Sequence, residues 1–174
     1  AIDGKWNVVA DWRDAMQNDY RWPASATPPP PPPPPPIVIQ AMKVTTTTLN
    51  VRSGPGTGYG IIGTVKSNQV YVSDTSSSGW YRIWYKGNQG WCSGSYLARV
   101  TGVTAAKVTV SSLNVRSGPG TTYTIVGQAL LNHMHVRTTT SGGGSTALTT
   151  GWAQIWWGGG ANWVSGAYVT LIGL

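Results

Sequence analysis

Two patterns of apolar and polar positions divide the chain. From about residue 37 onward, short β-branched and aromatic runs alternate with polar residues and are cut by Gly-rich turns, the period-2 signature of half-buried strands. Residues 43–48 and 107–112 are β-branched runs, and the stretches 49–52 and 113–116 place Leu49, Val51, Leu113 and Val115 between polar neighbours. Segments 61–65, 69–73, 80–85 and 90–92 continue the series, with matching segments later in the chain. On 80–85 the alternation predicts Tyr81, Ile83 and Tyr85 facing a core and Trp80, Arg82 and Trp84 facing outward. In the later counterpart Trp152, Gln154 and Trp156 take the outward places. Residues 1–22 read differently. Val8, Trp12, Ala15, Met16 and Tyr20 fall on one face of a helix, while Trp6, Val8 and Ala10 also alternate like a short strand. Either form gives an apolar face with too few residues to bury it alone. The segment is therefore expected to dock, with Trp6, Val8, Trp12, Met16, Tyr20 and Trp22 as its contacts.

Residues 23–36 separate the two patterns. They hold Pro23 and the unbroken run from Pro28 to Pro36. Proline fixes φ and lacks an N–H, so the run predicts a polyproline II rod. Nine prolines at about 3.1 Å each span roughly 28 Å. The rest of the chain is a repeat. Leu-Asn-Val-Arg-Ser-Gly-Pro-Gly-Thr occurs at 49–57 and again at 113–121. The offset between copies is 64 from Lys43/Lys107 to Val72/Val136 and 72 from Gly79/Gly151 to Leu97/Val169. The difference is an eight-residue insertion within 138–150, where small, polar and Gly-rich residues predict a lengthened surface loop. The expected organisation is a docking arm (1–22), a proline linker (23–36) and two small domains (37–100 and 101–174). The fold class is all-β: two small β-barrels in tandem, since short, evenly spaced strands with Gly-rich turns read as small barrels.

Charge sharpens this picture. Only 10% of the 174 residues are charged, against roughly 25% in an ordinary soluble protein, and none is Glu. Residues 1–36 hold three basic and four acidic residues, a net of −1, whereas 37–174 hold nine basic residues against Asp74, a net of +8. A basic body with an acidic arm fits contact with anionic partners, the arm of a neighbouring copy among them. The basic residues are scattered singly, without the cluster or stripe that nucleic acid requires, so no nucleic-acid partner is expected. The sequence has no 18-residue apolar run and hence no expected transmembrane helix. It starts at Ala1 rather than Met, as signal-peptide removal or other proteolysis would leave it, and on the first of these an extracellular or cell-surface location is expected.

The ordered blocks of the repeat resemble the bacterial SH3 (SH3b) family, over about residues 41–174. They are the nonapeptide, then Ile-Ile-Gly-Thr-Val or Ile-Val-Gly-Gln-Ala, then Gly-Trp-Tyr-Arg-Ile or Gly-Trp-Ala-Gln-Ile. Gly-Trp-Cys-Ser-Gly-Ser-Tyr-Leu and Asn-Trp-Val-Ser-Gly-Ala-Tyr-Val close the two copies. The resemblance implies five- to six-stranded barrels that serve as non-catalytic targeting modules for peptidoglycan or another surface ligand. Two departures stand out. Cys92 occupies the place of Val164 and reads as a small core hydrophobe. Trp84 and Trp156 stand where the family is usually polar. Each either offers apolar surface to a separate partner or covers a neighbouring loop or the other barrel.

Residues for catalysis are scarce. A nucleophilic Cys needs a base, and His133 and His135 lie in the copy that lacks the cysteine. A His-x-His pair on a strand places both rings on one face, but two ligands do not make a metal site, and two half-exposed strand residues is the simpler expectation. Paired-carboxylate hydrolysis needs two acids, and Asp74 stands alone in the body. No phosphate loop is present. No enzyme activity, metal or cofactor is expected. Two functions stay open. In one, the arm and proline rod dock on a neighbouring subunit and build a homo-oligomeric filament or surface layer. In the other, aromatic grooves grip peptidoglycan peptide or glycan through Trp80, Trp84, Trp152 and Trp156, with Arg52 and Arg116 either as basic contacts or as organisers of the turn that follows them.

Overall fold

The computed structural model describes residues 38–138 and 151–174. The arm residues Trp6, Val8, Trp12, Met16, Tyr20 and Trp22, the proline rod and insertion residues 139–150 lie outside the described residues. The first repeat runs β1 (Gln40–Val44), β2 (Thr48–Arg52), β3 (Ile61–Lys66), β4 (Val70–Ser77), β5 (Trp80–Tyr85) and β6 (Asn88–Ser93). A 3-10 turn, Gly94–Tyr96, then leads to β7 (Leu97–Val100). The second runs β8 (Thr104–Val108), β9 (Ser112–Arg116), β10 (Ile125–Leu130), β11 (Met134–Val136), β12 (Trp152–Trp157) and β13 (Gly160–Ser165). The turn Gly166–Tyr168 leads to β14 (Val169–Gly173). Among the described residues the architecture is all-β.

The first repeat forms one antiparallel sheet in the order β3-β2-β6-β5-β4-β1-β7. The second repeats that order as two sheets, β10-β9-β13-β12 and β11-β8-β14. The ladder between β11 and β12 shrinks to the single bridge Arg137↔Ile155, beside the insertion. The registers match across the repeat: Leu49 stands opposite Val65 as Leu113 stands opposite Ala129. Likewise Trp80 stands opposite Ser93 as Trp152 stands opposite Ser165.

The β-branched run 43–48 is not one strand. Strand β1 pairs with β4 and β7, while β2 pairs with β3 and β6, so the chain must turn a corner between them. The backbone bonds Val44 N–H to Gln69 O (2.9 Å) and Thr45 N–H to Tyr96 O (3.1 Å) fix that corner. Strand β4 runs further than the pattern indicates, to Ser77. A register shift between Ser73 and Thr75 lets its far end pair with β5. The extra residue is Asp74, whose carboxylate accepts from Arg82 Nε at 2.9 Å, so this buried acid is paired. The counterpart in the second repeat is neutral, with Thr138 Oγ1 donating to Gln154 Oε1 at 3.1 Å. The β5–β6 loop has two residues, Lys86 (φ 49) and Gly87 (φ 76), and its counterpart is Gly158 and Gly159. Positive φ at both central positions is what a tight hairpin of right-handed twist demands.

Each repeat has its own core. Val44, Leu49, Val51, Val65, Tyr71, Ile83, Tyr85 and Cys92 form the first, and Val108, Leu113, Val115, Ala129, Ala153, Ile155, Trp157 and Val164 belong to the second. Cys92 is fully buried like Val164, as expected of a core hydrophobe, and burial pushes its thiol pKa up to about 12. A third cluster joins the repeats: Val72 and Trp84 from the first pack with Ala105, Met134 and Val136 from the second. The described residues accordingly form one compact unit.

The junction corrects two expectations. Trp84 does point away from its own core, but it is only 8% exposed, and its ring lies 4.6 Å from that of His133. Trp156 packs against the first repeat's core and donates its indole N–H to Tyr71 Oη at 3.3 Å. Each tryptophan therefore packs on the other repeat: Trp84 is buried there, and Trp156 is half-buried. Apolar area removed from water at about 25 cal/mol per Å² explains why: these small repeats gain core by sharing one. The histidines are likewise buried instead of half-exposed. His133 Nδ1 accepts the Leu130 N–H at 3.1 Å. His135, 3% exposed, lies 6.2 Å from the ring of His133 and 4.9 Å from that of Trp157. Trp84 Nε1 and His135 Nε2 find no protein hydrogen-bond partner, so packing and not polar pairing holds this contact.

Burial, reinforced by His133, lowers the His135 pKa to about 3, and burial lowers that of His133 as well. His135 is thus neutral in the fold, while in the unfolded chain it protonates near its ordinary value of 6.5. The unfolded state binds the extra proton below pH 6.5, so stability is full above that value and is lost as pH falls toward 3. Urea unfolding at pH 7.5 and pH 5.0 should show a loss of about 2 kcal/mol from His135 alone, and His135→Phe should remove most of that dependence.

Candidate ligand-binding grooves

The nonapeptide builds a loop that folds back on its own strand. Arg52 leaves the end of β2, and its Nη1 donates to Thr57 O at 2.9 Å and Tyr59 O at 2.7 Å. Arg116 repeats this with Thr121 O and Tyr123 O, both at 2.8 Å. The bonds Ser53 N–H to Gly60 O (2.9 Å) and Ser117 N–H to Thr124 O (3.0 Å) close the two loops. Glycine is required at Gly54 and Gly118 because the rings of Tyr59 and Tyr123 lie where a Cβ would stand. Of the two roles open to Arg52 and Arg116, organising the turn is directly visible. Both residues also line a groove.

That groove occurs twice. In the first repeat it encloses about 520 Å³ beside β2, with Thr48, Asn50 and Arg52 on one wall and Trp80, Ser93 and Tyr96 on the other. In the second, Ser112, Asn114 and Arg116 face Trp152, Ser165 and Tyr168 across about 550 Å³. Two backbone bonds bring the far wall into place in each copy. Gly94 N–H donates to Gly79 O (2.8 Å) and Gly166 N–H to Gly151 O (2.7 Å), fixing the 3-10 turn beside the tryptophan that starts β5 or β12. The bonds Thr45 N–H to Tyr96 O and Thr109 N–H to Tyr168 O, each 3.1 Å, tie the tyrosine to the corner before β2 or β9. Tyr96 and Tyr168 remain 50% and 48% exposed.

The structure thus brings Trp80 together with Arg52, and Trp152 together with Arg116, while it sends Trp84 and Trp156 to the junction. Sequence reasoning missed Tyr96 and Tyr168. The available signal was the block that closes each copy, Gly-Ser-Tyr-Leu and Gly-Ala-Tyr-Val, in which an exposed tyrosine recurs. Chemically, each groove offers a flat indole and a phenol for stacking, neutral hydroxyl and amide groups for hydrogen bonding, and one guanidinium. Among the described residues no group of three or more His, Cys, Asp or Glu is placed to hold a metal ion. No helix among them is long and apolar enough to cross a membrane.

Part of the chain has known relatives. Residues 47–98, the segment that builds the first groove, match the bacterial SH3 domain family. Over 138 residues the chain is 30% identical to a Bacillus subtilis (strain 168) protein that carries the name N-acetylmuramoyl-L-alanine amidase YrvJ. The match takes in 73% of this chain and 25% of that protein. Among solved structures, NlpC1 from Trichomonas vaginalis is 13% identical with a TM-score of 0.34, over 79% of this chain and 48% of that one. An NlpC/P60 family protein from Bacillus cereus ATCC 10987 is 8% identical with a TM-score of 0.31, over 76% and 56%. The chain therefore spans a quarter of the length of the amidase and about half of each solved chain.

If Arg52 holds its loop, Arg52→Ala should release it without unfolding the strands. Two lost hydrogen bonds at an exposed site are worth about 1 kcal/mol. Amide exchange at Ser53 should then accelerate about fivefold, the rate change equivalent to that energy. Ser117, in the untouched copy, supplies the internal control.

Proposed function

We propose that this chain is a peptidoglycan-binding module of a cell-wall protein, acting outside the cell and without catalysis, with one small barrel and one groove per repeat. The observation that carries this reading is the duplication of an aromatic groove with the same walls: Trp80, Tyr96, Asn50 and Arg52 in one copy, Trp152, Tyr168, Asn114 and Arg116 in the other. Indole and phenol faces suit the apolar faces of sugar rings and the side chains of short peptides. The hydroxyls and amides suit their polar edges. A relative with the name of a cell-wall amidase, four times as long as the region it shares, supports a binding role beside a catalytic part located elsewhere. The composition agrees: a basic body with Asp74 paired to Arg82 meets an anionic wall without repulsion.

Assembly through the arm and proline rod rests on the sequence of residues 1–36 and draws on no contact among the described residues. The grooves do not require it. Purified peptidoglycan sacculi sedimented with the protein test the wall-binding reading directly. Retention should be saturable. Trp80→Ala and Trp152→Ala should each weaken it about tenfold, since stacking on an aromatic face and the second point of attachment are lost together. The double variant should remain in the supernatant while keeping its unfolding midpoint within a few degrees. Retention of the double variant at wild-type level would exclude the grooves as the binding sites.

A further inference from the structure

The two grooves share their aromatic walls but differ along one rim. In the first repeat Lys66, at the end of β3, stands opposite Thr48 of β2, and its ammonium donates to Thr48 Oγ1 at 3.0 Å. Thr48 lines the first groove, so a positive charge lies at its edge. In the second repeat the equivalent pair is Leu130 opposite Ser112. Ser112 lines the second groove, and Leu130 is 47% exposed. Two lining positions change in the same direction. Thr46 of the first groove corresponds to Val110 of the second, and Ser95 of the first corresponds to Ala167 beside the second. All three changes replace a polar or charged group with an apolar one.

Neither core packing nor the junction explains the difference at Lys66 and Leu130. Both residues are exposed on an edge strand, and neither belongs to a buried cluster. The guanidinium is no source of contrast either, because Arg52 and Arg116 make the same two bonds in both copies. The only acid in the body, Asp74, is held by Arg82 away from either groove lining. A ligand carboxylate at the Thr48 rim of the first groove therefore meets the Lys66 ammonium and no competing acid, with Arg52 at the far end of β2. At the matching Ser112 rim of the second groove it meets the apolar Leu130 instead, with Arg116 at the far end of β9.

We propose that the grooves have diverged in specificity, with Lys66 as the determinant. The first groove selects a carboxylate-bearing part of the ligand, such as a free peptide carboxyl, while the second takes a neutral, more apolar part. This rests on the reading of the grooves as wall-binding sites. A carboxylate held by an exposed ammonium is screened by salt, whereas stacking on an indole is not.

The test uses the full chain with one groove disabled at a time: Trp152→Ala leaves the first groove and Trp80→Ala leaves the second. The probes are a soluble disaccharide-peptide released from peptidoglycan and the same fragment with its carboxylates amidated, titrated calorimetrically in 50 mM and 500 mM salt. The first groove should prefer the free carboxylate about fivefold at low salt and lose that preference at high salt. The second should bind both probes within twofold at either salt. Adding Lys66→Leu should abolish the preference of the first groove, and Leu130→Lys should create one in the second. Equal responses of the two grooves to amidation, or a preference that survives Lys66→Leu, would overturn the divergence and leave wall binding intact. Binding of neither probe to either groove would overturn both.

Discussion

The described structure depends on a mutual burial. Each repeat is near the lower size limit at which a domain folds unaided, and each turns a tryptophan outward at the same strand position. Trp84 goes into the second repeat against His133, and Trp156 goes onto the first against Tyr71. Val72, Ala105, Met134 and Val136 fill the space between. The exchange makes one compact body of two small repeats. It also buries a His pair without charge, and the junction consequently prefers neutral or basic conditions.

Because the junction takes up Trp84 and part of Trp156, the aromatic surface left to the proposed grooves is smaller than the outward alternation alone indicates. What remains is the strip around β2 and β9. There an arginine pulls its own loop into shape, a 3-10 turn presents a tyrosine, and the first residue of the next hairpin presents a tryptophan. Core, junction and groove all draw on one strand. On β5, Ile83 and Tyr85 fill the core, Trp84 joins the repeats, and Trp80 faces the groove.

How much of this was legible beforehand follows from where each constraint resides. The strands, the repeat offset and the insertion are local in sequence, and they were readable from alternation and turn chemistry. The buried state of Cys92 was readable because its counterpart is Val164. The destination of Trp84 and Trp156 was not readable. Alternation says which side of a strand a residue faces but not what lies opposite, and that depends on contacts more than forty residues apart in the chain. The same limit hid the burial of His133 and His135. The break in the run 43–48 escaped because β propensity is blind to a corner at which a strand changes partners. Tyr96 and Tyr168 escaped because they lie on a turn that the strand pattern leaves unassigned.

Where a wall fragment touches the protein decides whether the grooves bind it. The direct measurement is nuclear magnetic resonance mapping of the full chain titrated with soluble disaccharide-peptide fragments of peptidoglycan, following backbone amides and indole N–H signals together. The predicted result is saturable shifts at Trp80, Asn50 and Tyr96 and at Trp152, Asn114 and Tyr168, with the indole signals of Trp84 and Trp156 unmoved. Shifts centred on the junction, or none in either groove at millimolar fragment, would contradict it.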